Sequence, residues 1–129
     1  MFIGQMRVEL ASTPDSVPKA RQEVTRFADA HEVDANVLER MRLAVTEAVA
    51  NVVVHAYRFG ESGVIGLRAA CYDDRVDLEV VDSGVGLTSD PDGAGLGWGM
   101  RLIGTMADRV ETHTSESGGL RIVMCFSVN

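Results

Sequence analysis

The sequence predicts a two-layer α/β sandwich in which helices cover one face of a mixed, mostly antiparallel sheet. Three observations indicate this fold class. The segment "RVELAST" alternates apolar and polar residues, two segments with helical periodicity follow it, and two further strand-like runs then flank a short polar turn. The chain has 129 residues, of which 46% are apolar, and this is enough for a hydrophobic core. We therefore expect residues 1–129 to form a single domain.

Two helices are predicted after the first strand. Thr13 is the expected N-cap, and Pro14 the expected first residue, of an amphipathic helix that continues to about His31. Asp34 is the expected cap of a longer helix that reaches about Tyr57. These two helices would supply most of the helical layer.

The second half of the chain predicts a hairpin, a long loop, a third helix and two more strands. The runs "VIGLRAACY" and "RVDLEVVD" are the hairpin. Residues 83–99 hold six of the 13 glycines and predict a loop, and long loops in compact domains are usually functional. After the loop, "MRLIGTMADRV" predicts a helix, and "ETHTS" and "LRIVMCFSV" predict strands.

Composition and charge exclude several classes of function. A net charge of −7 argues against nucleic-acid binding, because the phosphate backbone would be repelled. No apolar stretch approaches the roughly 18 residues of a membrane span, and "MFIGQMRVEL" lacks the pattern of a signal peptide. Cys71 and Cys125 have no metal-site spacing, which favours buried, reduced thiols. We expect a cytoplasmic protein that binds neither nucleic acid nor a membrane directly.

Three polar residues interrupt the second helix at intervals of four. In "RLAVTEAVANVVVHAY", Glu47, Asn51 and His55 share one face, because residues four apart on a helix are neighbours. The rest of the helix is predicted to be packed by Leu43, Val45, Ala48, Val49, Val52 and Val53. Buried polar groups without partners are costly, so the stripe either faces a cleft or forms an internal hydrogen-bond network. The stripe alone leaves both alternatives open.

A second motif, "VVDSGVG", follows the hairpin. Asp82 ends an apolar strand, and Gly84 and Gly86 come next at alternate positions. An aspartate there can accept a hydrogen bond from a ligand's amino group, while the glycines let the backbone approach a flat ring. A simple Asp-Gly turn is the alternative explanation.

A third motif, "GAGLGWGMRLI", places four glycines at alternate positions directly before a helix. Free amides at a helix start, together with the positive end of the helix dipole, suit phosphate. A Walker loop is excluded because Lys19 is the only lysine, and the G-x-G-x-x-G spacing is not met. A plain flexible linker is the alternative.

In this order, the three motifs resemble those of the GHKL superfamily of ATP-binding domains, which includes gyrase, sensor histidine kinases and MutL. "EAVANVVVHAY" resembles the asparagine box, "DSGVG" the D-x-G-x-G box and "GWGMRLI" the second glycine box. Spacing and length are most similar to the anti-sigma-factor serine kinases of bacteria, over essentially the whole chain. The resemblance implies a Bergerat-type fold in a single histidine-kinase-like ATP-binding domain.

The resemblance also implies roles for individual residues. Asn51 would coordinate the Mg²⁺ that bridges the ATP phosphates, and Glu47 would be the general base that takes the proton from the attacking hydroxyl. Asp82 would accept from the adenine amino group, and residues 87–99 would be the lid. The other nucleotide-binding residues implied by the motifs are Gly84, Gly86, Gly95, Gly97, Gly99 and Met100.

The function implied is that of an anti-sigma factor and serine/threonine protein kinase. It would bind Mg-ATP, sequester a sigma factor, phosphorylate a STAS-type anti-sigma-factor antagonist and form a homodimer. The alternative is a nucleotide-binding partner-switch module that sequesters a sigma factor or another regulator without kinase activity. Glu47 favours the kinase, since nucleotide sensing needs no base. A sensor histidine kinase is less favoured, because 129 residues leave no room for a second domain with a phosphorylatable histidine.

Overall fold

The structure is a computed structural model and describes residues 1–58, 63–82, 97–114 and 119–128. Within these ranges the chain forms five strands and three helices. In chain order they are β1 (Phe2–Ala11), α1 (Ser16–Ala30), α2 (Ala35–Arg58), β2 (Val64–Tyr72), β3 (Arg75–Asp82), α3 (Gly97–Met106), β4 (Arg109–Thr114) and β5 (Leu120–Ser127). No helix among the described residues is long and apolar enough to cross a membrane.

The five described strands form one sheet in the order β1-β2-β3-β5-β4, and each of its four pairings is antiparallel. The predicted α/β sandwich with a mostly antiparallel sheet is confirmed, and no parallel pair occurs between these strands. Burial alternates along β3, so that Val76, Leu78 and Val80 are buried under the helices. On the other face, Glu79 pairs with Arg68 at 3.9 Å and also with Arg121.

The helix α2 is the central element of the helical layer. It packs against α1, α3 and β3, and its fully buried residues are Met41, Ala44, Val45, Ala48, Val49 and Val52. Leu43 is 42% exposed, so the prediction that it packs in the core is wrong. Leu43 lies one turn before Glu47 on the outward side of the helix, so its side chain does not face the core.

Both predicted helix starts can be checked against the hydrogen bonds. Asp34 is confirmed as a cap, because its Oδ1 accepts from the Asn36 amide at 2.8 Å. The predicted start at Thr13 and Pro14 is wrong, since α1 begins at Ser16. The Thr13 carbonyl accepts from the Ser16 amide at 3.0 Å, and the Ser16 hydroxyl donates to the Ala11 carbonyl at the end of β1. A turn anchored to the strand therefore precedes the helix.

The helix α3 is shorter at its end than the sequence predicts. The prediction extended it to Val110, whereas it ends at Met106 and β4 begins at Arg109. Between them, the Asp108 amide donates to the Cys125 carbonyl at 2.9 Å, and the Asp108 carboxylate accepts from the Ser127 amide at 2.6 Å. These two bonds to β5 turn the chain into the sheet. Both cysteines are free thiols, as predicted, but only Cys71 is buried, whereas Cys125 is half-buried.

Gly4 on the edge strand provides a test of how α1 sits on the sheet. The His31 ring is held by its Nδ1, 2.9 Å from the Phe27 carbonyl, and by the Phe27 ring at 4.3 Å. A Cβ on Gly4 would collide with His31 Nε2. We expect Gly4→Ala to lower the free energy of unfolding by about 1–3 kcal/mol, because an overpacked, anchored ring must move. Urea denaturation measures the change.

Gly66→Ala is the matched control, since its Cβ would meet Val81 at an ordinary 3.7 Å. Adding His31→Ala to Gly4→Ala should restore part of the lost stability. Equal unfolding midpoints for the two glycine variants would contradict this account of the contact between β1 and His31.

Candidate functional site

The predicted polar stripe lies at the border of the helical layer. Glu47 and Asn51 are both half-buried, between the buried side of α2 and an outward side on which Val54 is 58% exposed. Within the described residues, no hydrogen bond or ion pair holds the Glu47 carboxylate. These two positions therefore favour a cleft over an internal hydrogen-bond network. The side chain of His55 lies outside the described part of the structure.

The Asn51 amide contains a buried atom that lacks a partner. Its Nδ2 is inaccessible and makes no hydrogen bond to the described residues. Leaving such a group unsatisfied costs about 1–3 kcal/mol, so its position calls for an explanation. The orphaned group is a donor and cannot itself ligate a cation, but the oxygen of the same amide is a ligand type suited to Mg²⁺. Asn51 thus fits a site that an external group completes.

Asp82 occupies the last position of β3, opposite Ile65 of β2. Its side chain is only 5% exposed, and the alternation of β3 places it on the sheet face that the helices cover. A buried carboxylate needs hydrogen-bond donors around it, because desolvating the charge is expensive. Asp82 therefore lies between the sheet and the helical layer, on the same side of the sheet as α2. A carboxylate in that position can accept a hydrogen bond from a bound ligand.

The start of α3 differs from the prediction. Residues 97–99 were expected in the loop, but α3 begins at Gly97 and includes Gly99 and Met100 in its first turn. First-turn amides have no partner within their helix, so this change keeps them available to an anion. The helix packs against α2, and Arg40 Nη1 on α2 donates to the Met106 carbonyl at 3.3 Å. Gly84, Gly86, Gly95 and residues 87–96 of the predicted lid lie outside the described residues.

An exposed apolar rim accompanies the stripe and was missed by the sequence analysis. Leu43 and Val54 lie on the outward side of α2, and Leu102 is exposed on α3. The signal was present, because Leu43, Glu47 and Val54 follow the i, i+4, i+11 pattern of one helix face. Apolar surface around a few polar groups is typical of a ligand-binding cleft.

The described part of the protein offers few side chains that could bind a metal ion. Among the described residues, no group of three or more histidines, cysteines, aspartates or glutamates is placed to hold a metal ion. Mg²⁺ in nucleotide sites usually keeps several waters and takes its other ligands from one or two side chains and the phosphates. A single amide at Asn51 is compatible with that chemistry only if the nucleotide arrives with the metal.

Comparison with known proteins decides the family. The family model described as "Histidine kinase-like ATPase domain" matches residues 10–126. The chain belongs to this family. Membership implies ATP as a ligand, and the matched range contains the stripe, Asp82 and the start of α3.

Individual relatives agree with this family. The anti-sigma F factor of Clostridium perfringens (strain SM101 / Type A) is 27% identical over 137 residues, which cover 98% of each chain. That of Clostridium beijerinckii is 26% identical, covering 96% of this chain and 94% of its own. A crystal structure of the RsbU and RsbW domains of a Mycobacterium tuberculosis protein matches with a TM-score of 0.75 and 20% identity. That match covers 96% of this chain and 32% of the longer one, and it confirms the predicted fold.

Asp82→Asn tests whether the buried carboxylate binds the base of the nucleotide. The amide can present its NH₂ group toward the adenine amino group, replacing an acceptor with a donor. Loss of a hydrogen bond to a charged group costs about 1.5–3 kcal/mol, so we expect ATP affinity to fall about ten- to a hundredfold. Calorimetry with ATP in the presence of Mg²⁺ measures it.

Asp77→Asn is the matched control, because Asp77 lies on the same strand but on the opposite face. It should leave ATP affinity unchanged. Thermal unfolding of both variants shows whether either substitution acts through folding. An Asp82→Asn protein that is folded and binds ATP within twofold of wild type would place the adenine elsewhere.

Proposed function

We propose that the protein is an anti-sigma factor and a serine/threonine protein kinase. It binds Mg-ATP, sequesters a sigma factor and phosphorylates a STAS-type antagonist of that complex. The observation that carries this proposal is the half-buried pair Glu47 and Asn51, one turn apart on α2, in a chain of the histidine kinase-like ATPase family. Full-length similarity to proteins named anti-sigma F factor supports the sigma factor as the partner.

The proposed chemistry assigns a different task to each side chain. Asn51 would hold the Mg²⁺ of the nucleotide through its amide oxygen, and the ion would supply positive charge beside the phosphates. Glu47 accepts the proton of the attacking hydroxyl while that oxygen bonds to the γ-phosphorus and ADP departs. A carboxylate that is half-buried and has no partner among the described residues is free to take that proton. Asp82 accepts from the adenine amino group and orients the base.

The same proposal includes the assembly and the cellular location. We infer a cytoplasmic homodimer, on the resemblance to the anti-sigma-factor kinases. The sheet face opposite the helices offers surface for a second copy, with Arg68 and Arg121 each about half exposed beside Glu79. Sedimentation of the purified chain tests the dimer independently of the kinase.

The Glu47→Gln variant tests whether the protein is a kinase or only a nucleotide-binding module. The glutamine keeps the shape and hydrogen bonding of the side chain but cannot accept a proton at neutral pH. Removal of a general base typically lowers a rate about 10²- to 10⁴-fold. We expect phosphate transfer to fall by that factor while Mg-ATP still binds. The assay incubates labelled ATP with antagonist proteins encoded by the same genome and detects phosphoserine or phosphothreonine.

Glu39→Gln is the matched control, because Glu39 is exposed two turns earlier on the same helix. It should transfer phosphate at the wild-type rate. Equal rates for wild type and Glu47→Gln would remove the catalytic role of Glu47. If wild type transfers no phosphate to any antagonist but binds a sigma factor in an ATP-dependent way, the partner-switch module replaces the kinase.

We expect Asn51→Ala to weaken Mg²⁺-dependent ATP binding rather than to slow phosphate transfer. It removes the proposed Mg²⁺ ligand, so the gain in ATP affinity that Mg²⁺ provides should be lost, while affinity measured without Mg²⁺ changes little. The substitution also removes a buried polar atom without a partner and introduces the best helix former. We therefore expect the free energy of unfolding without ligand to stay constant or rise. Paired calorimetry and urea denaturation would contradict the assignment if Mg²⁺ still strengthened ATP binding.

A further inference from the structure

The end of α3 is held by a side chain from another helix. Arg40 of α2 donates through its Nη1 to the Met106 carbonyl at 3.3 Å, and the same Nη1 lies 3.6 Å from Asp108 Oδ2. Met106 is the last residue of α3, and the last turn of this helix contains no basic residue. The final carbonyls of a helix have no partner within it and carry a partial negative charge. Arg40 therefore supplies from α2 the donor and the positive charge that the end of α3 lacks.

Asp108 connects this contact to the sheet. Its Oδ2, which lies beside Arg40, also accepts from the Ser127 amide of β5 at 2.6 Å. One carboxylate oxygen thus joins α2, the turn after α3 and β5. We call the side chains of Arg40 and Asp108, with the Met106 carbonyl, the α3 anchor. The two side chains are 35% and 49% exposed, so the anchor adds little to overall stability, and its effect is on where α3 is held.

The α3 anchor and the polar stripe lie along the same border of α2. Arg40, Glu47 and Asn51 follow an i, i+7, i+11 spacing, which keeps them within about 40° of one another around the helix. The ten residues of α3 extend about 14 Å, whereas α2 begins only five residues before Arg40. Because α3 packs along α2 and ends beside Arg40, it runs back toward Glu47 and Asn51. Its first turn, residues 97–100, is thereby placed at the stripe.

The position of α3 determines what the amides of its first turn can reach. The buried side chain of Ile103 holds the middle of the helix in the core, but apolar contacts are not directional. The bond to the Met106 carbonyl is directional and fixes how far α3 extends along α2. Backbone amides move with their helix, so a displacement of about 1 Å takes all of them out of reach of a bound phosphate together.

We propose that Arg40 is a positioning residue for the nucleotide: by holding the end of α3, it orients the amides at the start of that helix toward the phosphates. The inference rests on the proposed function for the identity of the ligand. Arg40 does not contact the nucleotide itself, because its guanidinium lies at the opposite end of α3 from residues 97–100. Its removal weakens the part of the affinity that comes from the phosphates and leaves recognition of the base by Asp82 unchanged.

The first experiment compares the affinities of wild type, Arg40→Met and Arg26→Met for ATP, by calorimetry, and for adenosine, by ¹⁵N chemical shifts. Arg26 is exposed on α1 and pairs with Glu23 at 3.1 Å, so Arg26→Met controls for the loss of one charge and of one surface ion pair. We expect Arg40→Met to bind ATP about three- to tenfold more weakly and adenosine within about twofold of wild type, since the contacts that it loses are individually weak. Arg26→Met should bind both ligands as wild type does.

Arg40→Lys keeps the positive charge and a donor on a shorter side chain, so it should recover part of the lost ATP affinity. Urea denaturation shows whether each variant is folded. Equal ATP affinities for wild type and Arg40→Met, or equal losses for ATP and adenosine, would overturn the positioning role while leaving the nucleotide as the ligand.

The second experiment needs no nucleotide. Amide hydrogen exchange of the full chain is followed at residues 101–107 in α3 and its end, and at residues 122–126 in β5. We expect Arg40→Met to exchange severalfold faster in α3 only, because local opening of one element leaves the others protected. If wild type binds no ATP, the proposed function fails, and faster exchange in α3 still supports Arg40 as the residue that holds this helix. Unchanged exchange in α3 overturns the anchor whatever the nucleotide affinities are.

Discussion

The packing of α2 on the sheet is the constraint on which the rest of the structure depends. Its buried side, from Met41 through Val45 and Val49, lies against the apolar face that β3 contributes to the core. With this side buried, α2 has two borders at the edges of its buried side, one facing α3 and one facing α1. Because close-packed interiors tolerate little rotation, the phase of every polar residue on α2 is fixed by those contacts.

Periodicity predicted the parts of this fold that local physics controls. The two predicted hairpin runs coincide with β2 and β3, and the Asp34 cap was correct because its bond forms within three residues. The errors arose where distant contacts decide. Ser16 bonds back to β1 and delays α1, while Asp108 bonds to β5 and ends α3 early. The roles of Glu47, Asn51 and Asp82 came from the family motifs, because spacing alone also allowed an internal network or a simple turn.

Unsatisfied buried atoms distinguish those alternatives better than any motif does. Among the described residues, the buried atoms of α2 that lack a hydrogen-bond partner are Asn51 Nδ2 and Arg42 Nε, one on each border. Each lowers the stability of the free chain, by about 1–3 kcal/mol for a neutral group and more for a charged one. A ligand that satisfies such an atom binds the folded chain and not the unfolded one, so it returns stability that rises with the logarithm of its concentration above Kd. Ser12 Oγ is orphaned too, but its own backbone amide is bonded to Gly63 in the turn after β1. A small neutral hydroxyl in a bonded turn costs less to leave unsatisfied than a guanidinium does, and Arg42 also lines an open groove between α1 and α2.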